Sequence, residues 1–318
     1  MPTPDSSDSC AHAFADHHIH GLAGVDFATS STAEVRSALA LLKSRRTTEV
    51  TASIPTVQRG HVQAMLDRLA PVFDDGLLTG VHFEGPFIAP EFAGAHPHQA
   101  ILSPTEPAGQ AFLGTLLAQH RAKPLVTMMT VAPELEGFAT LVELLVSHGI
   151  DPALGHTNAT YEQMRDGIEV VYQLTGRPVT ITHLYNAMRG FHHREPGPLL
   201  AVFEAVEHKT VKVELIADGY HVHPSVISWW FEKYPESIRL VSDASAATLP
   251  SGCKPLSVAL PMLGMAPLQY PKTAGPMLAD GCTMASGARD LLAVHDALVA
   301  GGLDHETVCA AMRARHTA

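Results

Sequence analysis

Residues 150–188 read IDPALGHTNATYEQMRDGIEVVYQLTGRPVTITHLYNAM and contain one strand–helix–strand unit. Ala153-Leu154-Gly155-His156 and Val179-Thr180-Ile181-Thr182-His183 are short β-rich apolar runs, each closing on a histidine. Between them, Thr160 to Gly167 has a helical pattern, with Thr160 as candidate N-cap. Such alternation argues for βα units and a parallel sheet. Working outward, the same rhythm gives strands ending near His18-Ile19-His20, Val50 to Ser53, Val81 to Glu84, Val126 to Thr130, Val211 to Leu215 and Leu240 to Asp243. Helical patterns lie at Thr32 to Lys43, Val62 to Leu69, Gly109 to Gln119, Leu135 to Ser147, Leu199 to Val206, Ala288 to Leu298 and Asp304 to Arg315.

Eight strand–helix units predict a closed (β/α)8 barrel, with a doubly wound open sheet as the alternative. The polar residues favour the barrel. Histidines or carboxylates end the first, third, fifth, sixth and eighth strands, and barrel active sites are built from the C-terminal ends of several strands. An interior histidine at mid-strand is harder to satisfy. Residues 1–13 read as a tail and 14–318 as one barrel domain. Leu256 to Gly281, rich in Pro, Gly and Met, reads as a long irregular connection, a lid or a subunit contact.

The 318 residues suffice for one large core, and the net charge of -11 disfavours a general nucleic-acid partner, which needs a basic field. No run of about 18 apolar residues marks a membrane span. The polar, acidic start from Met1 to Asp8 lacks a signal-peptide pattern, so a cytoplasmic location is expected. Cys10, Cys253, Cys282 and Cys309 are widely spaced, which fits thiols in a reducing compartment better than a disulfide framework.

The chain holds 20 histidines, so position must decide their meaning. In a strand, His18 and His20 point to one side, because side chains alternate. Two such imidazoles can chelate a metal; the alternative is a surface or structural pair. Glu84, before Gly85-Pro86, is either a metal ligand or half of a buried ion pair. His156 and His183 each follow an apolar strand; one alone reads as structural, while two beside Glu84 point to a metal. Asp243, in Ser242-Asp243-Ala244, can take a proton from water and return it to an amine, or can cap a helix.

Taken together, these segments resemble the amidohydrolase superfamily. HFEGPFIAPEFAGAHP, GHTNATYEQ, THLYNAM, REPG, IADGYHVHP and VSDA, in this order, resemble the N-acetylglucosamine-6-phosphate deacetylase family over roughly residues 14 to 250. The resemblance implies a metal-dependent barrel that hydrolyses the N-acetyl group of N-acetylglucosamine 6-phosphate to glucosamine 6-phosphate and acetate, in amino-sugar catabolism. It implies Glu84, His156 and His183 as metal ligands, Asp243 as general acid–base and His96 as the group polarising the acetyl carbonyl. Ala95 then supplies a backbone contact, Asn186 and Ala187 touch the sugar phosphate, and Arg194 and His221 bind phosphate. In the family this arginine can come from the neighbouring subunit, which implies a homodimer; the alternative for Arg194 is a surface ion pair with Glu195. With both His18 and His20 present, one or two divalent ions are expected, bridged by Glu84 if two. Zinc is favoured, with iron or another divalent metal compatible.

Against the family pattern, the usual accessory β-sandwich is expected to be absent or minimal in this sequence. Gly21-Leu22-Ala23-Gly24 is also less glycine-rich than usual, and Thr283-Met284-Ala285-Ser286-Gly287 resembles a final substrate-contact loop. Two other readings remain: a different amidohydrolase, acting on a cyclic amide or another N-acyl amino sugar, and a non-catalytic sugar-phosphate-binding relative.

Overall fold

The computed structural model describes residues 13–118, 124–250, 268–269 and 275–313. Most of the tail at 1–13, Cys10, Cys253 and most of the Leu256–Gly281 connection lie outside these. Eight strands form one sheet: β1 Phe14–Ile19, β2 Thr47–Pro55, β3 Gly80–Glu84, β4 Val126–Val131, β5 Asp151–Leu154, β6 Val179–Ile181, β7 Val211–Ile216 and β8 Ile238–Val241. Each pairs in parallel with the next in chain order. An open doubly wound sheet would leave its first and last strands as edges. Here the two are joined: Asp243 N–H donates to the His18 carbonyl at 2.9 Å, and His20 N–H to the Ala244 carbonyl at 2.7 Å. The Asp16 carboxylate accepts from Ser242 N–H at 3.2 Å across the same seam. The sheet therefore closes into a barrel.

The helices follow from their apolar spacing. In α1, Thr32–Ser44, the buried residues Val35, Ala38, Leu39 and Leu42 fall at i, i+3, i+4 and i+7 and face the sheet. Burying a leucine fully contributes about 1.5–3 kcal/mol. Ser31 and Glu34 close its N-terminus as a capping box. The next helices are α2 Arg59–Asp74, α3 Pro107–Leu117, α4 Phe138–Ser147, α5 Tyr161–Thr175 and α6 Gly197–Glu207. Thr160 caps α5, as the sequence predicts, and the structure adds Gln163 as its capping-box partner. Helix α4 starts at Phe138 rather than Leu135, because Gly137 takes a left-handed conformation at the N-cap.

Helix α7, Pro224–Lys233, is not among the sequence-derived helices. Its Val226-Ile227 and Trp229-Trp230 pairs have strand-like propensity, although Pro at the first helical position and the His223 cap both mark a helix start. Helices α8 Leu291–Ala300 and α9 His305–Met312 complete the described helices. Within the Leu256–Gly281 segment, Leu268–Gln269 pairs antiparallel with Met277–Leu278. No helix among the described residues is long and apolar enough to cross a membrane.

The barrel interior is partly polar, with Asp16, His18, Ser53, His82, Thr130, Thr182, Glu214 and Ser242 all buried. His82 lies at mid-strand in β3, the position expected to be hard to satisfy. Hydroxyls on neighbouring strands solve this: Ser53 Oγ lies 3.0 Å from its Nδ1 and Thr130 Oγ1 2.8 Å from its Nε2. Burial, then the nearby His18, pushes the pKa of this imidazole well down.

Candidate metal centre and active site

The strand ends converge on a chamber of about 260 Å³ at the C-terminal mouth of the barrel. Its lining includes His20, Glu84, Ala95, His96, His156, His183, Asn186, Ala187, His221 and Asp243. His18 lies beneath it, fully buried. Arg194 is not among the described lining residues. It is exposed on the 189–197 loop, where it donates to His193 Nε2 at 2.9 Å. Glu195 pairs with Arg189 rather than with Arg194.

Backbone conformation aims several of these side chains. β5, β6 and β8 end before His156, His183 and Asp243, and all three residues have positive φ: 48°, 24° and 48°. Tyr185 and Ala187 do as well, at 80° and 50°. Each such non-glycine residue costs about 1–3 kcal/mol and persists only where the surroundings fix it. The fixing contacts are visible. Thr157 N–H donates to the Ala187 carbonyl at 3.1 Å. Trp230 Nε1 of α7 donates to the Tyr185 hydroxyl at 2.7 Å. Gly287 N–H donates to the Asp243 carbonyl at 2.7 Å.

Glu84 sits at the centre. Its Oε1 lies 2.8 Å from both His156 Nε2 and His183 Nε2. Its Oε2 lies 3.2 Å from His20 Nε2, 3.3 Å from His96 Nε2 and 3.5 Å from His18 Nε2. Asp243 Oδ1 faces His20 Nε2 at 3.1 Å and His18 Nε2 at 3.6 Å. One carboxylate thus stands between two sets of imidazoles.

The hydrogen-bond partners fix the tautomers. His156 Nδ1 lies 2.8 Å from the Phe92 carbonyl, and His20 Nδ1 lies 3.1 Å from the Ser53 carbonyl. A carbonyl only accepts, so both Nδ1 atoms carry protons and both Nε2 atoms face the chamber as lone pairs when the rings are neutral. His18 Nδ1 faces the Glu214 carboxylate at 3.3 Å in the same way. His96 is reversed. Its Nδ1 accepts from Thr56 N–H at 2.9 Å, so its proton sits on Nε2 and points inward.

These residues fit a divalent metal. With its Nδ1 proton held by the Phe92 carbonyl, neutral His156 sets its Nε2 lone pair against Glu84 Oε1 at 2.8 Å, an opposition that a cation between them relieves. The three sets His18–His20–Asp243, His18–Glu84–His183 and Glu84–His96–His156 each have donor atoms within 4.8 Å of one another. The electrostatics also call for positive charge. Burial lowers the His20 pKa, but hydrogen bonds to Asp243 and Glu84 outweigh it and push it to about 9. Burial alone would raise the Glu84 carboxyl, yet His18, His96 and His156 hold it well below the usual carboxylate range. His96 is pulled down to about 4, chiefly by burial, and so stays a neutral donor.

No family model matches the chain. The N-acetylglucosamine-6-phosphate deacetylase of Danio rerio is 33% identical over 252 residues, which is 76% of this chain and 60% of that protein. The N-acetylgalactosamine-6-phosphate deacetylase of Escherichia coli O157:H7 is 34% identical over 253 residues, 76% of this chain and 61% of that protein. A solved mutant of the N-acetyl-D-glucosamine-6-phosphate deacetylase from Mycobacterium smegmatis, in complex with N-acetyl-D-glucosamine-6-phosphate, superposes with a TM-score of 0.77 at 29% identity, covering 95% of this chain and 75% of that chain. The chain belongs to the N-acetylglucosamine-6-phosphate deacetylase family of amidohydrolases. It spans about three fifths of the length of the curated relatives it matches (60% and 61%).

Within this deacetylase-family barrel, sequence reasoning missed several residues that shape the site. Glu214 of β7 is buried against His18, and Asp26, Tyr220 and Ser245 line the chamber. Thr283, Met284 and Ala285 also line it, so the final loop reaches the site. Asp218 holds His221 at 2.9 Å. The i+3 spacing of Asp218 and His221 was a legible signal; the Glu214–His18 contact joins strands 196 residues apart and left none.

Proposed function

We propose that this chain deacetylates N-acetylglucosamine 6-phosphate to glucosamine 6-phosphate and acetate, in amino-sugar catabolism. The observation that carries the reading is the pair of opposite tautomers around Glu84. When the rings are neutral, the lone pairs of His20 and His156 face a cation position, while His96 presents an N–H donor to the same space. Amide hydrolysis needs both, plus a proton carrier, and Asp243 stands opposite.

Glu84, His156 and His183 would hold one divalent ion, and His18 and His20 with Glu84 a second; zinc suits these nitrogen and oxygen donors, and iron is compatible. When bound, such a metal polarises a carbonyl and lowers the pKa of water. His96 donates from Nε2 to the acetyl oxygen as negative charge builds there. Asp243 takes a proton from the attacking water at Oδ1 and delivers it to the amine nitrogen as the C–N bond breaks. Ala95, Asn186 and Ala187 contact the sugar, and His221 binds its phosphate. Anchoring the phosphate orients the amide before reaction.

We assign Arg194 to the phosphate of a neighbouring subunit in a homodimer. Its exposure, on a loop whose Phe191 is 56% exposed, supports this reading. A single barrel domain spanning 14–318 and a cytoplasmic location belong to the same proposal; the wide spacing of the four cysteines fits a reducing compartment.

The test is acetate release from N-acetylglucosamine 6-phosphate, its unphosphorylated form and N-acetylgalactosamine 6-phosphate, on metal-loaded and chelated protein. Metal-dependent release confined to phosphorylated sugars is expected. Equal turnover of the unphosphorylated sugar would remove the phosphate assignment, and no release from any would remove the activity. A second reading, preference for the galactosamine epimer, is raised by the E. coli protein, whose 34% identity is matched by the 33–35% of the Danio rerio and Mus musculus N-acetylglucosamine-6-phosphate deacetylases and so does not choose between the epimers. The ratio of kcat/KM for the two phosphorylated sugars decides it.

A further inference from the structure

The C-terminal helices carry a second cluster of metal-binding donors, at the opposite end of the barrel. α8 and α9 pack beneath the start of β1, where the His295 ring lies 5.6 Å from the Phe14 ring and Phe14 bridges to Arg313. On α9, His305 and Cys309 stand at i and i+4 and share a face. That face meets His295 of α8. His295 Nε2 lies 3.1 Å from His305 Nδ1, and Cys309 Sγ lies 3.6 Å from His305 Nε2. One donor atom from each residue falls within 4.8 Å of the other two, with His295 and Cys309 buried. His295 Nδ1 also faces Asp296 Oδ1 at 2.9 Å. A carboxylate accepts, so the proton sits on Nδ1 and the Nε2 lone pair points into the cluster. Carboxylates orient metal-ligating imidazoles in this way.

We propose that His295, His305 and Cys309 form a structural site for a zinc-class metal ion, separate from the catalytic centre. Zn–N bonds of about 2.0–2.1 Å and Zn–S bonds of about 2.3 Å at tetrahedral angles put nitrogen donors about 3.3 Å apart and nitrogen and sulfur about 3.6 Å apart. The observed His295 Nε2–His305 Nδ1 spacing of 3.1 Å lies close to the first; the 3.6 Å contact of Cys309 Sγ is to the other ring nitrogen, His305 Nε2, and one donor atom from each of the three residues lies within 4.8 Å of the others. Two imidazoles and a thiolate select zinc-class ions over magnesium or calcium, which take oxygen donors. Binding releases the Cys309 thiol proton and shifts the His305 proton to Nε2, freeing Nδ1 for the ion. His305 is half-buried, so solvent reaches the fourth position. The bound ion pins the α8–α9 hairpin beneath β1.

The catalytic chamber has no sulfur among its described lining atoms except Met284, so a thiolate-to-metal charge-transfer band reports on cysteine alone. The experiment uses the full chain with Cys10, Cys253 and Cys282 replaced by Ser, treated with chelator and titrated with Co(II). A near-ultraviolet charge-transfer band saturating at one thiolate-bound cobalt per chain is expected. Adding Cys309→Ser removes the band while the circular dichroism is unchanged, and His305→Gln weakens cobalt binding at least tenfold. Absence of the band in the folded protein that keeps Cys309, or survival of the band in Cys309→Ser, overturns the proposal and leaves a hydrogen-bonded Cys–His–His–Asp chain.

Discussion

Replacing His96 by Ala separates a hydrogen-bond donor from a metal ligand, two roles that sequence position cannot distinguish. Thr56 N–H donates to His96 Nδ1 at 2.9 Å, which leaves the ring proton on Nε2 facing the chamber. With its pKa pulled down to about 4 by burial, the ring is neutral at pH 7 and holds that single donor in place. Removing one preorganised donor to a developing oxyanion costs about 2.7–4 kcal/mol, or about 10²–10³ in kcat. The same change leaves Thr56 N–H without its acceptor, at about 1–3 kcal/mol of folding stability. Acetate release from N-acetylglucosamine 6-phosphate gives kcat, elemental analysis gives bound metal, and urea unfolding gives stability. The expected result is a kcat loss of about 10²-fold or more, with metal content and KM nearly unchanged. A variant that loses its metal along with its activity would refute the tautomer argument and move His96 into the ligand set. A kcat within a few-fold of the parent would remove His96 from the chemistry altogether.

Asp243→Asn should keep fold and metal while kcat falls by about 10²–10⁴, since a proton carrier is lost; near-normal turnover would clear Asp243 of that role. Glu214→Gln removes the charged partner of His18 Nδ1 and should weaken metal retention by about 10–100-fold, measured by dialysis against a graded chelator. His221 is expected to make KM for phosphorylated substrate pH-dependent. Burial lowers its pKa, but the Asp218 carboxylate outweighs that and raises it, so the ring stays cationic to higher pH than an ordinary histidine. Phosphate affinity should hold below that raised pKa and weaken as pH rises through it. A KM profile unaltered by His221→Gln would contradict the assignment. In Gly287→Ala, the new Cβ would sit 1.8 Å from the Ser242 carbonyl oxygen, so the Ser242–Asp243 backbone must move. We expect about 1–3 kcal/mol of destabilisation together with a drop in kcat, and unchanged thermal melting would show that the loop can yield.

The one-dimensional pattern sufficed for the barrel. The eight strands were legible because parallel strands buried on both faces read as short apolar runs, and their ends because histidines and carboxylates interrupt those runs. Strand alternation correctly put His18 and His20 together, although β1 shifts register between Asp16 and Ile19. What alternation could not fix is the aim of His156, His183 and Asp243. They lie beyond the strand ends in left-handed conformations, where the two-residue period no longer applies. Those conformations are held by partners distant in sequence, such as Trp230 on Tyr185 and Gly287 against Asp243. The tautomers are likewise tertiary. Thr56 N–H at His96 and the Ser53 and Phe92 carbonyls at His20 and His156 decide which nitrogen faces the chamber. The sequence by itself determined which residues have the chemistry to bind a metal and carry a proton. Only the tertiary structure decided which imidazole donates and which offers a lone pair, because that depends on backbone groups brought near by folding.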